Sequence, residues 1–468
     1  MRILLLKPRV SVAYDQVTVP PLGPLYLSAV LKKAGYAEVR VLHLDALGLG
    51  EEDIEKELRA FKPDVVGLSA ITAEGRSMHS LARLVKKVSP ATLVVAGGPH
   101  PTGYAADCME NPAIDIAVRG EGELTLLEIV KNREAGKGFD GIRGITHRRG
   151  GETITEPDRE FIEDLDSLPF PDWDAIDLGV YKNFVPQAPV HYKTPYMTLV
   201  TSRGCPFYCT FCHNTHGKKF RAHGAARVVA ELRALKERFG FSEIEIIDDI
   251  FNWDRRRTVD IMKGVIASGL KPKLYMANGV RADILDKEVI DLFAEAGVVF
   301  MCAGVETATP GLQAATRKNI GFSCLREMLD YAAEKRIFTH ALFMIGFPGE
   351  SVTEVINTIK FACRLKSHTS LFSFVCAYQG TELGDSLQNK SAVINPNNDM
   401  SSAMSSLNFV NCSPLAAWKL ILLKQAANIV FFSNPARLFR ICRDLPRYNP
   451  AVFRLLLKKF LTRTVFLR

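Results

Sequence analysis

Thr201-Ser-Arg-Gly-Cys-Pro-Phe-Tyr-Cys-Thr-Phe-Cys212 decides how the rest of the chain is read. It sets Cys205, Cys209 and Cys212 in a CxxxCxxC spacing, behind a glycine and opened by a proline. Three thiols this close can hold three corners of a 4Fe4S cube and leave the fourth iron open, because no fourth cysteine lies near them. A cubane wrapped by four cysteines passes electrons, whereas one with an open iron can bind and reduce a small molecule. The spacing therefore points to catalysis. Cys302, Cys324, Cys363 and Cys376 sit mostly in apolar runs and read instead as small core residues.

Working outward, the triad follows an apolar run at 197–201, the first of six; the others lie at 244–247, 274–276, 298–302, 341–345 and 371–375. Helical stretches such as 225–239 and 352–365 alternate with them, and six strand-helix units over residues 193–385 suit a partial (β/α)6 barrel. Active sites in barrels gather at the carboxyl ends of the strands, where the cysteines fall. Residues 1–145 show a second α/β series. Short branched runs at 3–6, 39–44, 65–69, 93–96 and 114–118 interleave with helical ones, predicting a doubly wound parallel sheet of Rossmann or flavodoxin type. Ligands of such sheets sit at the strand ends, where Gly97-Gly-Pro-His100 and Arg119-Gly-Glu-Gly-Glu123 lie. Residues 146–192, rich in Pro and Asp and including Leu165-Asp-Ser-Leu-Pro-Phe-Pro-Asp-Trp173, read as a linker.

With 468 residues, the chain suits two domains and an appendage. Ten cysteines at this length are no disulfide scaffold, and the opening Met-Arg-Ile-Leu-Leu-Leu-Lys lacks the pattern of a signal peptide, so a reducing, cytoplasmic setting is expected. The net charge of +8 is concentrated at one end. Residues 415–468 carry eleven Lys or Arg against one acid, Asp444, which leaves the body near neutral and argues against a nucleic-acid partner. Residues 386–468 are expected to be a basic, largely helical region. Ala451-Val-Phe-Arg-Leu-Leu-Leu-Lys-Lys-Phe-Leu461 is amphipathic at helical spacing, and reads either as a helix lying peripherally on the inner membrane surface or as a cap over the barrel.

The cysteine triad, with Phe211 just before its last member, resembles that of the radical S-adenosylmethionine (SAM) superfamily. Residues 1–145 are similar to the cobalamin-binding domain that precedes the radical SAM core in one large family. Its marks are Pro20-Pro-Leu-Gly-Pro-Leu-Tyr-Leu27, Ser69-Ala-Ile-Thr72 and the two Gly-rich turns quoted above. The chain has no DxHxxG histidine motif, so the resemblance implies cobalamin bound without a histidine ligand.

That resemblance implies a 4Fe4S cluster, SAM and cobalamin as cofactors, reductive cleavage of SAM to a 5′-deoxyadenosyl radical, and a flavodoxin or ferredoxin as electron donor. By position, Phe211, Asp248, Asp249, Asn278, Arg281 and Glu306 resemble SAM contacts. Thr72, Gly97, Gly98, His100, Gly120 and Glu121 resemble cobalamin contacts. Asp248 and Asp249 can equally cap a helix, Arg281 can equally form a structural ion pair, and His100 can equally cap its loop. The expected reaction is methylation of an unactivated carbon of a hydrophobic or secondary-metabolite substrate. The alternatives are an oxidative cyclase or ring-rearranging enzyme of a tetrapyrrole or lipid pathway, and a redox or sensor protein.

Overall fold

Ile3–Lys7 (β1), Val39–His43 (β2), Val65–Ser69 (β3), Leu93–Gly97 (β4) and Ile116–Val118 (β5) are short aliphatic runs, mostly buried on both faces. That is the pattern of a parallel sheet covered by helices on either side. The computed structural model, which describes residues 1–10, 19–183, 187–188, 190–191, 196–213, 215–387, 392–394 and 409–445, pairs them in the order β2-β1-β3-β4-β5, all parallel. This is the flavodoxin-like order, and it bears out the doubly wound parallel sheet expected from the sequence while choosing between its Rossmann and flavodoxin forms. Leu22–Lys33 (α1), Leu44–Leu47 (α2), Glu51–Phe61 (α3), Gly75–Val88 (α4), Pro99–Gly103 (α5), Ala105–Glu110 (α6) and Glu123–Glu134 (α7) make the connections. Met78, Leu81, Ala82 and Val85 of α4 recur at helical spacing and bury one face in the core with Ile54, Leu58, Val66 and Val94.

The chain divides into two compact units, the first built on Met1–Val185 and the second on the residues beyond it, except that Thr215–Gly217 goes with the first. The first unit extends into the stretch read as a linker. Ile145–Arg149 (β6) and Glu152–Thr155 (β7) add an antiparallel hairpin to β5. Its two-residue loop, Gly150-Gly151, holds φ of 59° and 92°, the left-handed pair that matches strand twist. The hairpin escapes a pattern search because β7 is an exposed polar edge with no apolar alternation to see.

In the second unit the strands are Tyr196–Leu199 (β8), the short pair Ser202–Arg203 (β9) and Arg221–Ala222 (β10), Glu243–Ile246 (β11), Lys273–Val280 (β12), Val298–Glu306 (β13), Phe338–Ile345 (β14) and Thr369–Phe374 (β15). The order β8-β11-β12-β13-β14-β15 is entirely parallel, six strands taken consecutively, as the (β/α)6 reading requires. Ala225–Phe239 (α8), Arg255–Ala267 (α9), Lys287–Ala296 (α10), Pro310–Ala315 (α11), Phe322–Glu334 (α12) and Val352–Arg364 (α13) intervene. Ser351 caps α13, so Glu350 does not begin that helix as its place after Gly349 suggests. Instead its buried carboxylate accepts from the main-chain N–H of Gly346 (2.6 Å) and Phe347 (3.1 Å) and closes the turn.

Beyond β15 come Ala377–Tyr378 (β16), Glu382–Ser386 (α14), Val393–Ile394 (β17), Ala417–Phe432 (α15) and Pro435–Asp444 (α16). The segment 451–461 lies outside the described residues. Arg437 of α16, fully buried, locks this helical region down. Its guanidinium donates to the carbonyls of Leu365 (2.7 Å), Ser367 (3.0 Å) and Phe431 (2.5 Å), so it satisfies orphan acceptors just past α13. Among the described residues no helix is long and apolar enough to cross a membrane.

Candidate active site

The cysteine loop leaves the carboxyl end of β8 without regular structure of its own beyond the two residues of β9, so its shape is set by side chains from neighbouring strand ends. Asp248, just past β11, is the main strap. Its Oδ1 accepts from the Thr201 N–H (2.5 Å) and its Oδ2 from the hydroxyls of Thr201 (2.5 Å) and Ser202 (2.7 Å). Both carboxylate oxygens are thus used on protein. Burial raises its pKa, and Arg257 with the Ser202 and Thr201 hydrogen bonds opposes the rise. Asp249, exposed beside it, accepts from the Gly204 N–H at 3.1 Å. Arg257 completes the base of the loop, donating to the carbonyls of Thr201 (2.7 Å) and His223 (2.8 Å).

Further along, Arg281 covers the loop: its guanidinium lies 3.8 Å from the ring centroid of Phe207. It also forks onto Asp283 at 2.9 and 3.1 Å and donates to the Asn319 carbonyl at 2.8 Å, so the structural ion pair foreseen as its alternative is present. Thr210 donates its N–H to Thr316 (3.0 Å) and accepts from Leu383 (2.8 Å). Phe211 packs into a cluster with Leu312, Phe347, Val375, Ala377 and Leu383. Asn278 stands exposed near the end of β12.

Glu306 ends β13 at a bulge, with the left-handed φ of 64° that a residue with a Cβ rarely adopts. Its carboxylate meets Lys318 Nζ at 3.1 Å. Lys318 is itself flanked by two left-handed residues, Arg317 (φ 54°) and Asn319 (φ 47°). Gln313 of α11 holds both halves. Its amide donates to the carbonyls of Val305 (2.9 Å) and Thr307 (2.5 Å), which bracket Glu306, and its side-chain oxygen accepts from the Ile320 N–H at 3.2 Å. Its own carbonyl accepts from the Lys318 N–H at 3.1 Å. Strain of this kind persists only where the surroundings over-determine it, and it clusters at functional sites.

The electrostatics converge on the thiols. A hydrogen bond from Cys212 lowers the Cys209 thiol below its ordinary value, against burial and with help from Lys318 and Arg281, which favours the thiolate there. The same bond raises Cys212, and burial raises Cys205. A loop of three sulfurs with a cationic pair beside it suits a metal cluster, which requires thiolate donors. Sequence reasoning missed Lys318 and Gln313. In Thr316-Arg-Lys-Asn319 a lysine looks like a solvated turn residue, and nothing local signals its partner twelve residues back.

In the first unit, the strand-end turns are tied together through main chain. The Ala70 N–H donates to the Gly97 carbonyl (2.9 Å) and the His100 N–H to the Ala70 carbonyl (3.0 Å). The Thr102 hydroxyl bridges the Gly98 carbonyl (2.8 Å) and the Gly120 N–H (3.1 Å). Gly98 has φ 96°, and a Cβ there would lie 2.9 Å from the Ala70 carbonyl oxygen. Thr72 opens a short turn beside these loops, and Glu121, buried, accepts from the Ile162 N–H at 2.7 Å. Ser69, Gly97, Gly98 and Gly120 leave this end small and lined by main chain, which fits a broad flat ring.

Neither histidine near these strand ends is free to reach such a ring. His43 Nδ1 lies 2.9 Å from the Tyr181 hydroxyl. The His100 ring is fully buried against Gly75, its Nε2 3.4 Å from Asp107. His79 Nε2 meets the same carboxylate at 3.0 Å. Asn111 fixes the proton of His79: its Oδ1 accepts from the Ala113 N–H, so its amide nitrogen faces His79 Nδ1 at 3.1 Å, and Nε2 must carry the hydrogen donated to Asp107. His79 and Asp107 therefore form a hydrogen-bonded pair, with the His100 ring buried beside the same carboxylate.

Two family models match the chain: a B12 binding domain over residues 8–130 and the radical SAM superfamily over residues 199–362. The uncharacterized methyltransferase PH0819 of Pyrococcus horikoshii is 34% identical over 391 residues, covering 82% of each protein. The cytidylyl-2-hydroxyethylphosphonate methyltransferase of Streptomyces wedmorensis is 28% identical over 417 residues, covering 78% of this chain and 77% of that one. The radical SAM methyltransferase TsrM from Kitasatospora setae shares the fold, with a TM-score of 0.69 at 19% identity over 84% of this chain and 79% of its own.

A sheet built to hold a ring at its strand ends, followed by a parallel domain built around a three-cysteine loop, defines a two-cofactor enzyme. The chain belongs to the cobalamin-dependent radical SAM methyltransferase family, whose cofactors are a [4Fe-4S] cluster, SAM and cobalamin.

Proposed function

We propose that this enzyme methylates an unactivated carbon of a hydrophobic small molecule. The supporting observation is the cysteine loop: three thiols in one turn strapped by Asp248 at the carboxyl end of the first barrel strand. Cys205, Cys209 and Cys212 would hold the cluster. Asp249, Asn278, Phe211, Arg281 and Glu306 would face SAM, with Lys318 fixing the Glu306 carboxylate. Asp248, its oxygens occupied by Thr201 and Ser202, would act by shaping the loop.

Thr72, Gly97, Gly98, Gly120 and Glu121 would bound the cobalamin site, with His100 contributing its main chain, and the corrin would sit without a histidine ligand. Bound cluster and SAM supply the radical that removes hydrogen, and bound cobalamin supplies the methyl group. The protein's own part is to orient both cofactors and to hold the thiolates. We draw the cobalamin domain at residues 1–155, the connecting segment at 156–192, the radical SAM core at 193–385 and the helical region at 386–468. A cytoplasmic setting, a flavodoxin or ferredoxin as electron donor, and peripheral contact of the basic C-terminal region with the inner membrane surface belong to the same reading.

The test is turnover of cobalamin-reconstituted enzyme with deuteriomethyl SAM and candidate terpenoid or tetrapyrrole substrates. A product carrying the label supports methyl transfer. A modified product without label would replace it with cyclisation or rearrangement.

A further inference from the structure

The helical region presents one surface that its own packing does not account for. Along α15, Trp418, Leu422 and Ile429 recur at four and seven residues, which places them in one stripe, and Val430 flanks it. All four are exposed, Trp418 to 60%. On α16, Leu438 and Phe439 are exposed too, Phe439 to 68%. Exposed large apolar side chains are ordinary when scattered singly, but six on two consecutive helices mark an interaction surface.

The opposite side of the same helices is rigidly specified. Leu420, Ala427 and Phe431 are buried, the Arg437 guanidinium is hydrogen-bonded to five carbonyls, and Asp444 meets His368 Nε2 at 3.1 Å and Arg336 Nε at 2.9 Å. The apolar stripe is therefore held outward by the fold and is not a stray consequence of loose docking.

Charge says what covers it. Between Phe409 and Leu445 the chain has one acid, the buried Asp444, while Lys419 and Arg443 are exposed on the same helices. The following 23 residues, 446–468, add six further cations and no acid. Two cationic segments laid on one another would repel, and a second copy of this surface would do the same. An anionic surface with an apolar interior complements both features at once.

We propose that the outer face of α15 and α16 docks onto an anionic lipid bilayer, with Trp418 and Phe439 seated at the headgroup boundary. This deepens the peripheral-contact reading above, rests on it, and makes the folded helices, rather than the terminal segment alone, the element that enters the interface.

The experiment is co-sedimentation of the reconstituted full chain with phosphatidylcholine vesicles, with and without phosphatidylglycerol, at low and high salt. Quenching of Trp418 by brominated lipid is the second readout. Binding to the anionic vesicles alone, reversed by salt and weakened about tenfold or more in the Trp418→Ser/Leu422→Ser/Phe439→Ser variant, is the expected result. These positions are exposed, so the variant should keep its fold by circular dichroism and its SAM cleavage in solution. That cleavage separates failure of docking from failure of the enzymatic reading. No sedimentation with anionic vesicles overturns the proposal, as does equal, salt-insensitive binding to both vesicle types. A concentration-dependent dimer abolished by the same substitutions, without vesicle binding, would assign the face to a second copy. Stronger binding on removal of residues 446–468 would show that the terminal segment covers the face, and would also overturn it.

Discussion

Replacing Gln313 by Leu removes the one side chain that holds Glu306 and Lys318 in place from a single point. The substitution is close in volume and leaves two buried main-chain groups without the partner they have now, the carbonyl of Thr307 and the N–H of Ile320, while the Val305 carbonyl keeps only the Thr307 N–H at 2.9 Å. Each orphaned buried group costs about 1 to 3 kcal/mol, and the new aliphatic side chain returns about 1 kcal/mol of burial, which leaves a local loss of about 3 kcal/mol. The left-handed conformation of Glu306 costs about 1 to 2 kcal/mol by itself, so with its bracket gone the residue should relax to an extended conformation and draw its carboxylate away from Lys318.

Amide hydrogen exchange reads this directly. Protection of the Ile320 N–H should fall about a hundredfold, the counterpart of about 3 kcal/mol at 1.4 kcal/mol per factor of ten. Iron content should be unchanged, because no cysteine is touched, while 5′-deoxyadenosine formation on reduction should drop. Unchanged exchange at Ile320 together with unchanged SAM cleavage would refute the idea that this bracket positions the pair.

Cys209→Ala should abolish retention of the reconstituted cluster, measured as iron and sulfide per chain; full iron content would remove Cys205, Cys209 and Cys212 as the ligand set. Gly98→Ala, which forces a Cβ to 2.9 Å from the Ala70 carbonyl oxygen at φ 96°, should destabilise the first unit by about 2 kcal/mol and cut cobalt retention; normal cobalt content and melting would contradict the turn's assigned role. Burial lifts the Glu245 carboxyl from 4.5 to about 7, so the folded chain keeps a proton that the unfolded chain releases, and stability is lost as pH rises through that interval. Glu245→Gln keeps the acceptor for the Ala188 N–H and removes the titration. The variant should therefore gain up to about 3 kcal/mol over the parent on going from about pH 5 to about pH 8, seen in urea midpoints, and parallel pH profiles would count against it.

Much of the architecture is legible because its strands are parallel and buried on both faces, so that runs such as Leu93–Gly97 or Val298–Glu306 stand out as apolar stretches ending in glycine or acid. The β6–β7 hairpin was hidden for the opposite reason: as a polar edge it owes its place to two glycines and a main-chain ladder, neither of which shows in a hydrophobic pattern. The cysteine triad is legible since its ligands are consecutive in sequence. Lys318 is not, since what makes it special is burial against Glu306, twelve residues away, and a turn strained on both sides.

The same contrast bears on how acids at strand ends should be read. A loop that must present three sulfurs cannot pair its own main chain into a helix or sheet, so its polar groups are met by other segments, by main chain at Thr210 and by side chains from the next strands elsewhere. Asp248 does this for Thr201 and Ser202, 46 to 47 residues distant in sequence, and Arg257, Asp249 and Arg281 do it for Thr201, Gly204 and the face of Phe207. Carboxylates at the carboxyl ends of these strands therefore divide between holding the loop and meeting the ligand, and position alone does not separate the two. What the oxygens meet does: Asp248 spends both on the main chain and hydroxyls of the loop, whereas Glu306 turns one of its oxygens to the Lys318 ammonium at 3.1 Å.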